Sequence, residues 1–461
     1  MNRFSTGLCA GALVGFLMAG AAHADTFSLN EALGVAYETN PQLAAQRAAL
    51  RATDENVAIA NGGWRPSINA QGGYGTQHYE LNASGVPTLT ANSHPLQGQV
   101  TLDQPIFRGG RTWAEISRAK ALVRAGRAQL TGVEQTVLLS AVTAYMDVVR
   151  DQAIVDLREH NVEVLKKQLS ATELQFKVGE LTKTDVAQSR ARLAGAQSDL
   201  VTAEGQLAAS RAAFKQVIGR PAETLDEKAA APTLPATLQG AETLADKQYP
   251  ALIAAQETER AASYAIDDSV GALLPQVSLQ AQYGYSQGAY TIGPSTGGGP
   301  GSINTTSLMA LLTVPIYQGG ADEASVRQAK QLHSQSELNV HNARRQAREG
   351  VDAAWETYQS ARSAIVSNEA QVKANELAYE GVRREQEVGA RTILDVLNAE
   401  QELLNSQVAV VTSRRNAQVA AYRLLSAIGL LTARDLKLKV KLYDPGAYYD
   451  ENAARWFGFG D

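Results

Sequence analysis

The sequence predicts a membrane protein of mixed α and β structure, built from two copies of one unit, each a strand pair followed by a long coiled-coil helical hairpin. Three observations predict it: an internal repeat at constant offset, two long proline-free stretches, and four alternating segments of membrane-spanning length. With 461 residues, 44% hydrophobic, and a net charge of −5, the chain is apolar enough to fold and too weakly charged to point to nucleic acid. None of its 14 prolines lies between Pro105 and Pro221 or between Pro315 and Pro445. At the usual frequency of roughly one in twenty, each gap should hold several, so these stretches read as long helix, which cannot spare a backbone donor.

Residues 1–24 read as a cleaved signal peptide. Arg3 supplies the positive start, Leu8 to Ala21 the apolar stretch, and Ala22-His23-Ala24 a small-x-small cleavage site. The single cysteine, Cys9, falls inside this segment, so the mature chain is expected to have no thiol, disulfide or thiolate metal site. No later stretch approaches the roughly 18 apolar residues of a transmembrane helix. Any crossing must then be made by strands.

The repeat is carried by matched strings. Asn40-Pro41-Gln42-Leu43 recurs as Tyr249-Pro250-Ala251-Leu252, Pro105-Ile106-Phe107-Arg108-Gly109-Gly110 as Pro315-Ile316-Tyr317-Gln318-Gly319-Gly320, and Val178-Gly179, Asp185-Val186 and Ile218-Gly219 as Val388-Gly389, Asp395-Val396 and Ile428-Gly429. The offset stays at about 209–210 throughout, which marks a duplication. The division is a first repeat at 25–228, an Ala/Pro/Thr-rich linker at 229–239, a second repeat at 240–436 and a tail at 437–461.

Each unit starts with an Ala-rich helix after Asn40-Pro41 or Tyr249-Pro250, with Asn40 a good cap and Pro41 a good first residue. Period-two alternation then marks strands at 67–77 and 276–286, the second with Val277, Leu279, Ala281, Tyr283 and Tyr285 on one face and Gln276, Ser278, Gln280, Gln282 and Ser286 on the other. Gly/Ser/Asn/Pro-rich loops (82–95 and 287–304) lead to further strands at 97–106 and 305–316. A tilted strand crosses a bilayer in about 9–11 residues, so all four are long enough. Four strands cannot close, and lipid does not tolerate open edges, so several chains must share one barrel. Heptads then run along the helices: Ile116, Val123, Leu130, Val137 and Ala144, a four-residue stutter, and Val148, Val155, Val162, Leu169 and Phe176. Returning helices carry Val186, Leu193, Leu200, Leu207 and Phe214, and Val396, Leu403, Val410, Ala417 and Leu424. A long helix of about 67 residues spans roughly 100 Å and needs a partner along its length.

In its duplication, element order and specific strings, the chain resembles the TolC family of outer-membrane channel proteins over essentially the whole mature sequence. The strings are Asn40-Pro41, Pro66, Val314 to Gly320, Thr184-Asp185-Val186 after Val178-Gly179, and Val388 to Leu397. The resemblance implies a homotrimer whose strands form a 12-stranded transmembrane β-barrel in the outer membrane, continued by a 12-helix periplasmic α-barrel. It also implies a passive exit duct of a tripartite efflux or type I secretion system, opened at its helical tips by a periplasmic adaptor and an inner-membrane ABC or RND transporter. The tip turns fall at Gly179 and Gly389. The resemblance places Arg391 with the Thr184–Asp185 pair as a closed-state latch, and Asp395 in an anionic ring at the periplasmic entrance. Two positions depart from the family pattern: Asn398 stands where a second acid ring is common, and Gln386 where some members place a latch tyrosine. Without the resemblance, Asp395 reads as a solvated acid favourable to its helix N-terminus.

Other chemistry is not supported. Gly284-Tyr285-Ser286-Gln287-Gly288 fits a nucleophile elbow in letters, but a Gly/Pro/Ser loop follows it where a helix is required. The glycines at 297–299 and 301 lack the Lys-Ser/Thr of a phosphate loop, and the histidines form no HExxH. His333 falls on a heptad position and reads as a helix-interface residue; the tail aromatics read as packing around the waist of the helical barrel. No enzyme activity and no cofactor are expected. The competing reading is a periplasmic coiled-coil adaptor, which the duplicated strand pairs and cleavable signal disfavour.

Overall fold

The computed structural model describes residues 26–82, 84–85, 88–227, 231–289 and 301–459. The expected signal peptide, the start of the linker and most of the second loop lie outside the described residues. The elements are α1 (Leu29–Thr39), α2 (Pro41–Asn61), a single 3-10 turn, β1 (Ser67–Tyr74), β2 (Gln77–Leu81), β3 (Leu89–Ser93), β4 (Leu96–Arg108), α3 (Arg111–Lys177) and α4 (Lys183–Ile218). The second half repeats them as α5 (Leu238–Gln248), α6 (Pro250–Gly271), β5 (Gln276–Ala289), β6 (Gly301–Thr313), α7 (Ala321–Glu387) and α8 (Ile393–Ala427), with α9 (Ala447–Asn452) in the tail. Both long helices have 67 residues. Among the described residues no helix is long and apolar enough to cross a membrane.

The strands form one antiparallel sheet in the order β1-β4-β5-β6. Its register sorts the side chains by chemistry. Ile68 faces Leu102, Leu102 faces Ala281 and Ala281 faces Leu308, an apolar row across all four strands; in the next row Ala70, Val100 and Tyr283 meet Thr306 on β6. On the other face Asn69 meets Thr101, Thr101 meets Gln282 and Gln282 meets Ser307. There Gln280 donates to Asp103 at 2.9 Å. Side chains of both faces are exposed in a single chain, and β1 and β6 are edges with one partner each. The strand expected at 67–77 stops at Tyr74, and the loop expected at 82–95 is partly strand, because β2 and β3 continue as a separate two-stranded ribbon. The strand expected at 305–316 is displaced to 301–313, since Pro315 cannot donate to a ladder.

Two glycines turn each strand into its long helix. Gly109, Gly110, Gly319 and Gly320 all have positive φ, between 63° and 82°, a conformation that other residues resist. A Cβ on Gly109 would also lie 2.2 Å from the Gly271 carbonyl oxygen.

The helices pack in a fixed lateral order. α3 lies between α2 and α4 on one side and α6 and α8 on the other, whereas α7 is covered only by α5, α6 and α8. Burial follows. α3 buries its heptad residues from Ile116 to Val162, while α7 buries only Ala329, Ala343, Ala347, Val351 and Ala354. Nearer the tip the α3 seam opens, with Leu169 half-buried and Phe176 43% exposed.

The largest core sits at the waist, where α1, α3, α5, the ends of α4 and α8 and the segment after α8 converge. α1 and α5, absent from the sequence reading, plug the joints between short and returning helices. The Tyr145 hydroxyl lies 2.8 and 3.0 Å from the Phe27 and Asp226 carbonyl oxygens and accepts from the Asp226 N–H at 2.9 Å. The tail leaves this waist and runs along α2: Tyr448 donates to Glu55 at 2.7 Å and Asn61 to the Ala453 carbonyl at 2.9 Å. It therefore reaches the foot of the sheet instead of staying at the waist.

Candidate functional site

The two tips are built identically. At the first, Gly179 takes a φ of 84° and ends α3, with Gly179 N–H donating to the Phe176 carbonyl at 3.1 Å and Glu180 N–H to that of Gln175 at 3.0 Å. Thr182 then caps α4. Its N–H and Oγ1 donate to Asp185 Oδ2 at 2.9 and 2.7 Å, and Asp185 N–H returns to Thr182 Oγ1 at 3.3 Å. At the second tip Gly389 has a φ of 79°, and Thr392 and Asp395 make the same three bonds at 3.0, 2.8 and 3.3 Å. This is a capping box, which satisfies helix donors reciprocally. The Thr-x-x-Asp pattern at 182–185 and 392–395 announces it in the sequence and makes Thr182, not Thr184, the partner of Asp185. Thr184 itself is exposed, one residue into α4.

The boxes fix the charge. Hydrogen bonds from Thr182 and Thr392 hold the carboxyls of Asp185 and Asp395 below the ordinary aspartate range. Both stay ionised in mildly acidic solution. Each carboxylate is the N-terminal acid of its helix, the arrangement favoured by the helix dipole.

Arg391 is turned away from the expected partner. Its Nε donates to Glu385 Oε2 at 2.9 Å across the turn of its own hairpin, and both side chains are half exposed. Asp185 is engaged by its capping threonine, so the Arg391–Asp185 contact does not occur within the chain. Gln386 is half-buried, and its carbonyl accepts the Gly389 N–H at 2.9 Å.

The tips differ in how they are held. Ile393 and Leu397, on the first turns of α8, are buried with Val162, Leu165 and Ala196 of the first hairpin. Their counterparts in the first repeat, Lys183 and Ala187, are exposed. Next to this cluster Arg192 Nη2 donates to Asn398 Oδ1 at 2.8 Å, tying α4 to α8. Higher up, Asp147 of α3 accepts from Arg415 of α8 at 2.9 Å and from Arg150 at 2.9 Å, and Arg150 also clasps the buried Asp151. Ser210 of α4 donates to the same Asp151. Nothing in the sequence spacing points to these cross-hairpin contacts.

The site is therefore a pair of charged, capped turns at the far end of two coupled hairpins. The chain matches the family model described as outer membrane efflux protein at residues 32–220 and again at 243–430. It is 34% identical over 431 residues to outer membrane efflux protein BepC of Brucella suis biovar 1 (strain 1330), covering 94% of this chain and 91% of that protein. It is 26% identical over 436 residues to outer membrane protein TolC of Escherichia coli (strain K12), covering 90% and 85%. Among solved structures it is similar to CusC, described for its folding and transmembrane channel formation, with a TM-score of 0.76, 18% identity, and 88% and 92% of the two chains covered. Two family matches in one chain, each spanning one helical hairpin and its strand pair, show that this protein belongs to the outer membrane efflux protein family, a TolC-type channel protein of the outer membrane.

Proposed function

We propose that three copies of the chain close into one conduit, a 12-stranded barrel in the outer membrane joined to a 12-helix periplasmic barrel. The observation that carries this reading is the register of the sheet, which puts one apolar row, Ile68-Leu102-Ala281-Leu308, on one face and one polar row, Asn69-Thr101-Gln282-Ser307, on the other across all four strands. A membrane barrel needs such a division, apolar toward lipid and polar toward a wet lumen. The bare edges at β1 and β6 are satisfied only if β6 of one copy pairs with β1 of the next, since lipid offers no hydrogen bonds.

The helices support the same closure. α3 is flanked on both sides and α7 on one, although they are copies of each other. By the repeat, the neighbours that α7 lacks correspond to α6 and α8 beside α3, and they are α2 and α4 of a second copy. Three chains complete the ring.

In this reading the tips are the periplasmic entrance, with Asp395 tripled into an anionic ring that favours cations. Arg391, Thr184, Asp185, Gln386 and Asn398 line or brace that entrance, and a periplasmic adaptor with an inner-membrane ABC or RND transporter opens it for efflux or secretion. The channel itself supplies a path and no energy. Outer-membrane fractionation, gel mobility with and without heating, and planar-bilayer conductance test the proposal together: heat-sensitive trimers that conduct are expected. A monomer from the inner membrane or a trimer without conductance would refute it.

A further inference from the structure

We infer that the C-terminal tail is a membrane-surface anchor, in which Trp456, Phe457 and Phe459 insert into the lipid interface at the periplasmic side of the barrel. The inference rests on the reading of the sheet as a lipid-embedded barrel.

The tail is held at the right level. Arg65, two residues before β1, donates to the Arg455 carbonyl at 2.7 Å and to the Ala454 carbonyl at 3.3 Å. Its guanidinium also lies 4.8 Å from the centre of the Trp456 ring. With Asn61 fixed to Ala453, the chain is clamped at three successive carbonyls just where helix gives way to strand. The residues beyond the clamp are apolar and bare: Trp456 is 60% exposed, Phe457 88% and Phe459 110%.

That level carries other interfacial residues. Trp64 and Trp113 form an edge-to-face pair with ring centres 5.7 Å apart, and Trp113 is 66% exposed. Three of the 4 tryptophans of the chain thus gather at the foot of the sheet. Tryptophan concentrates at membrane–water interfaces because its ring is apolar and its N–H is polar. Arg108 and Arg111 stand at the same junction and are held there by Glu115 at 3.2 Å and Asp268 at 3.0 Å. A tail that merely ended in water would leave three large apolar groups within four residues exposed at the end of a run of specific clamps. The apolar face of the strands begins at this junction, so lipid already present there covers them.

The test uses the full-length trimer in vesicles whose acyl chains are brominated near the headgroup. Trp64, Trp113 and Trp355 are replaced by Phe, leaving Trp456 as the sole emitter, and a second protein carries Tyr283→Trp as its sole tryptophan on the apolar strand face. Emission of Trp456 is expected to fall about twofold or more in the brominated vesicles, as for an interfacial ring. If the strand reporter is quenched and Trp456 is not, the barrel stands and the anchor is refuted. Protection of Trp456 from both bromolipid and aqueous acrylamide would mean burial against another copy, which also refutes it. If the strand reporter escapes quenching, the barrel reading fails and the anchor falls with it. Should the tryptophan-poor protein not assemble, Phe459→Cys carrying a spin label gives the same answer from its relative exposure to oxygen and to a water-soluble nickel chelate.

Discussion

Arg192 on the first returning helix donates to Asn398 on the second, Nη2 to Oδ1 at 2.8 Å, beside the buried pair Ile393 and Leu397. This bond joins the two hairpins of one chain at the tip, where the resemblance alone marked Asn398 only as a missing acid. Replacing Asn398 by Asp turns a neutral acceptor into a charge-assisted one, roughly twice as strong. Asn398→Asp should lower the open probability of the reconstituted channel, and Arg192→Ala should raise it. Single-channel recording of both variants checks the pair; equal effects in the same direction would remove it from the gate.

Asp395 and Asp185 occupy equivalent capping boxes, yet only Asp395 is expected in the entrance ring. Asp395→Asn keeps the polar cap and removes the charge, so it should reduce cation selectivity and block by multivalent cations. Asp185→Asn makes the same local change at the sister tip and serves as control. Because their threonines depress both carboxyls, selectivity should persist as the pH falls through the ordinary aspartate range and fade only below it. Reversal potentials across a pH series measure both points.

Glu400 responds the other way. It is buried on α8, and desolvation pushes its carboxyl up to about 7. In the first repeat the matching residue, Arg190, pairs with Glu173 at 2.6 Å; in the second the charges are exchanged, and Arg383 turns to Glu387 at 3.5 Å. Tyr379 of α7 feels the Glu400 charge across the seam. A raised folded-state value means full stability below the ordinary glutamate range and progressive loss as pH rises to about 7. The loss amounts to roughly 3 kcal/mol per chain. Thermal unfolding of the trimer should therefore move down between pH 5 and 8, by about that energy, and Glu400→Gln should flatten the dependence.

The waist core should dominate stability. Phe214 is fully buried, with its ring centre 6.3 Å from that of Tyr145, and Phe214→Ala should cost about 3–5 kcal/mol. Tyr145→Phe keeps the ring but removes the hydroxyl that lies against the Phe27 and Asp226 carbonyls and accepts from the Asp226 N–H, which keeps its 3.3 Å bond to the Phe27 carbonyl, so the cost should be about 0.5–1.5 kcal/mol. Denaturant unfolding of single variants measures both; a smaller effect for Phe214→Ala than for Tyr145→Phe would contradict this account.

Much of the architecture was legible because it is periodic. The repeat offset located both tip glycines, the period-two segments located the strands, and the proline gaps enclosed α3 with α4 and α7 with α8. Where local chemistry is less regular the sequence says less: the alternation from 67 to 77 does not show the break between Tyr74 and Gln77, β3 lies inside the stretch expected to be loop, and α1 and α5 are too short for their periodicity to stand out. Thr182 and Thr392 were readable as capping residues, since Thr-x-x-Asp is a local signal.

By itself, then, the sequence determined the repeat, the length of the helices, the alternation of the strands and the chemistry of each turn, all of which depend on residues within a few positions of one another. Only the tertiary structure decided that Arg391 turns to Glu385, that Arg192 reaches Asn398, that Asp147 ties Arg415 to α3 and that the tail climbs to Arg65. Those choices depend on which faces of the long helices meet, and a helix presents its side chains all round. A shift of one residue in packing would hand each charge a different partner, and no local pattern records that choice.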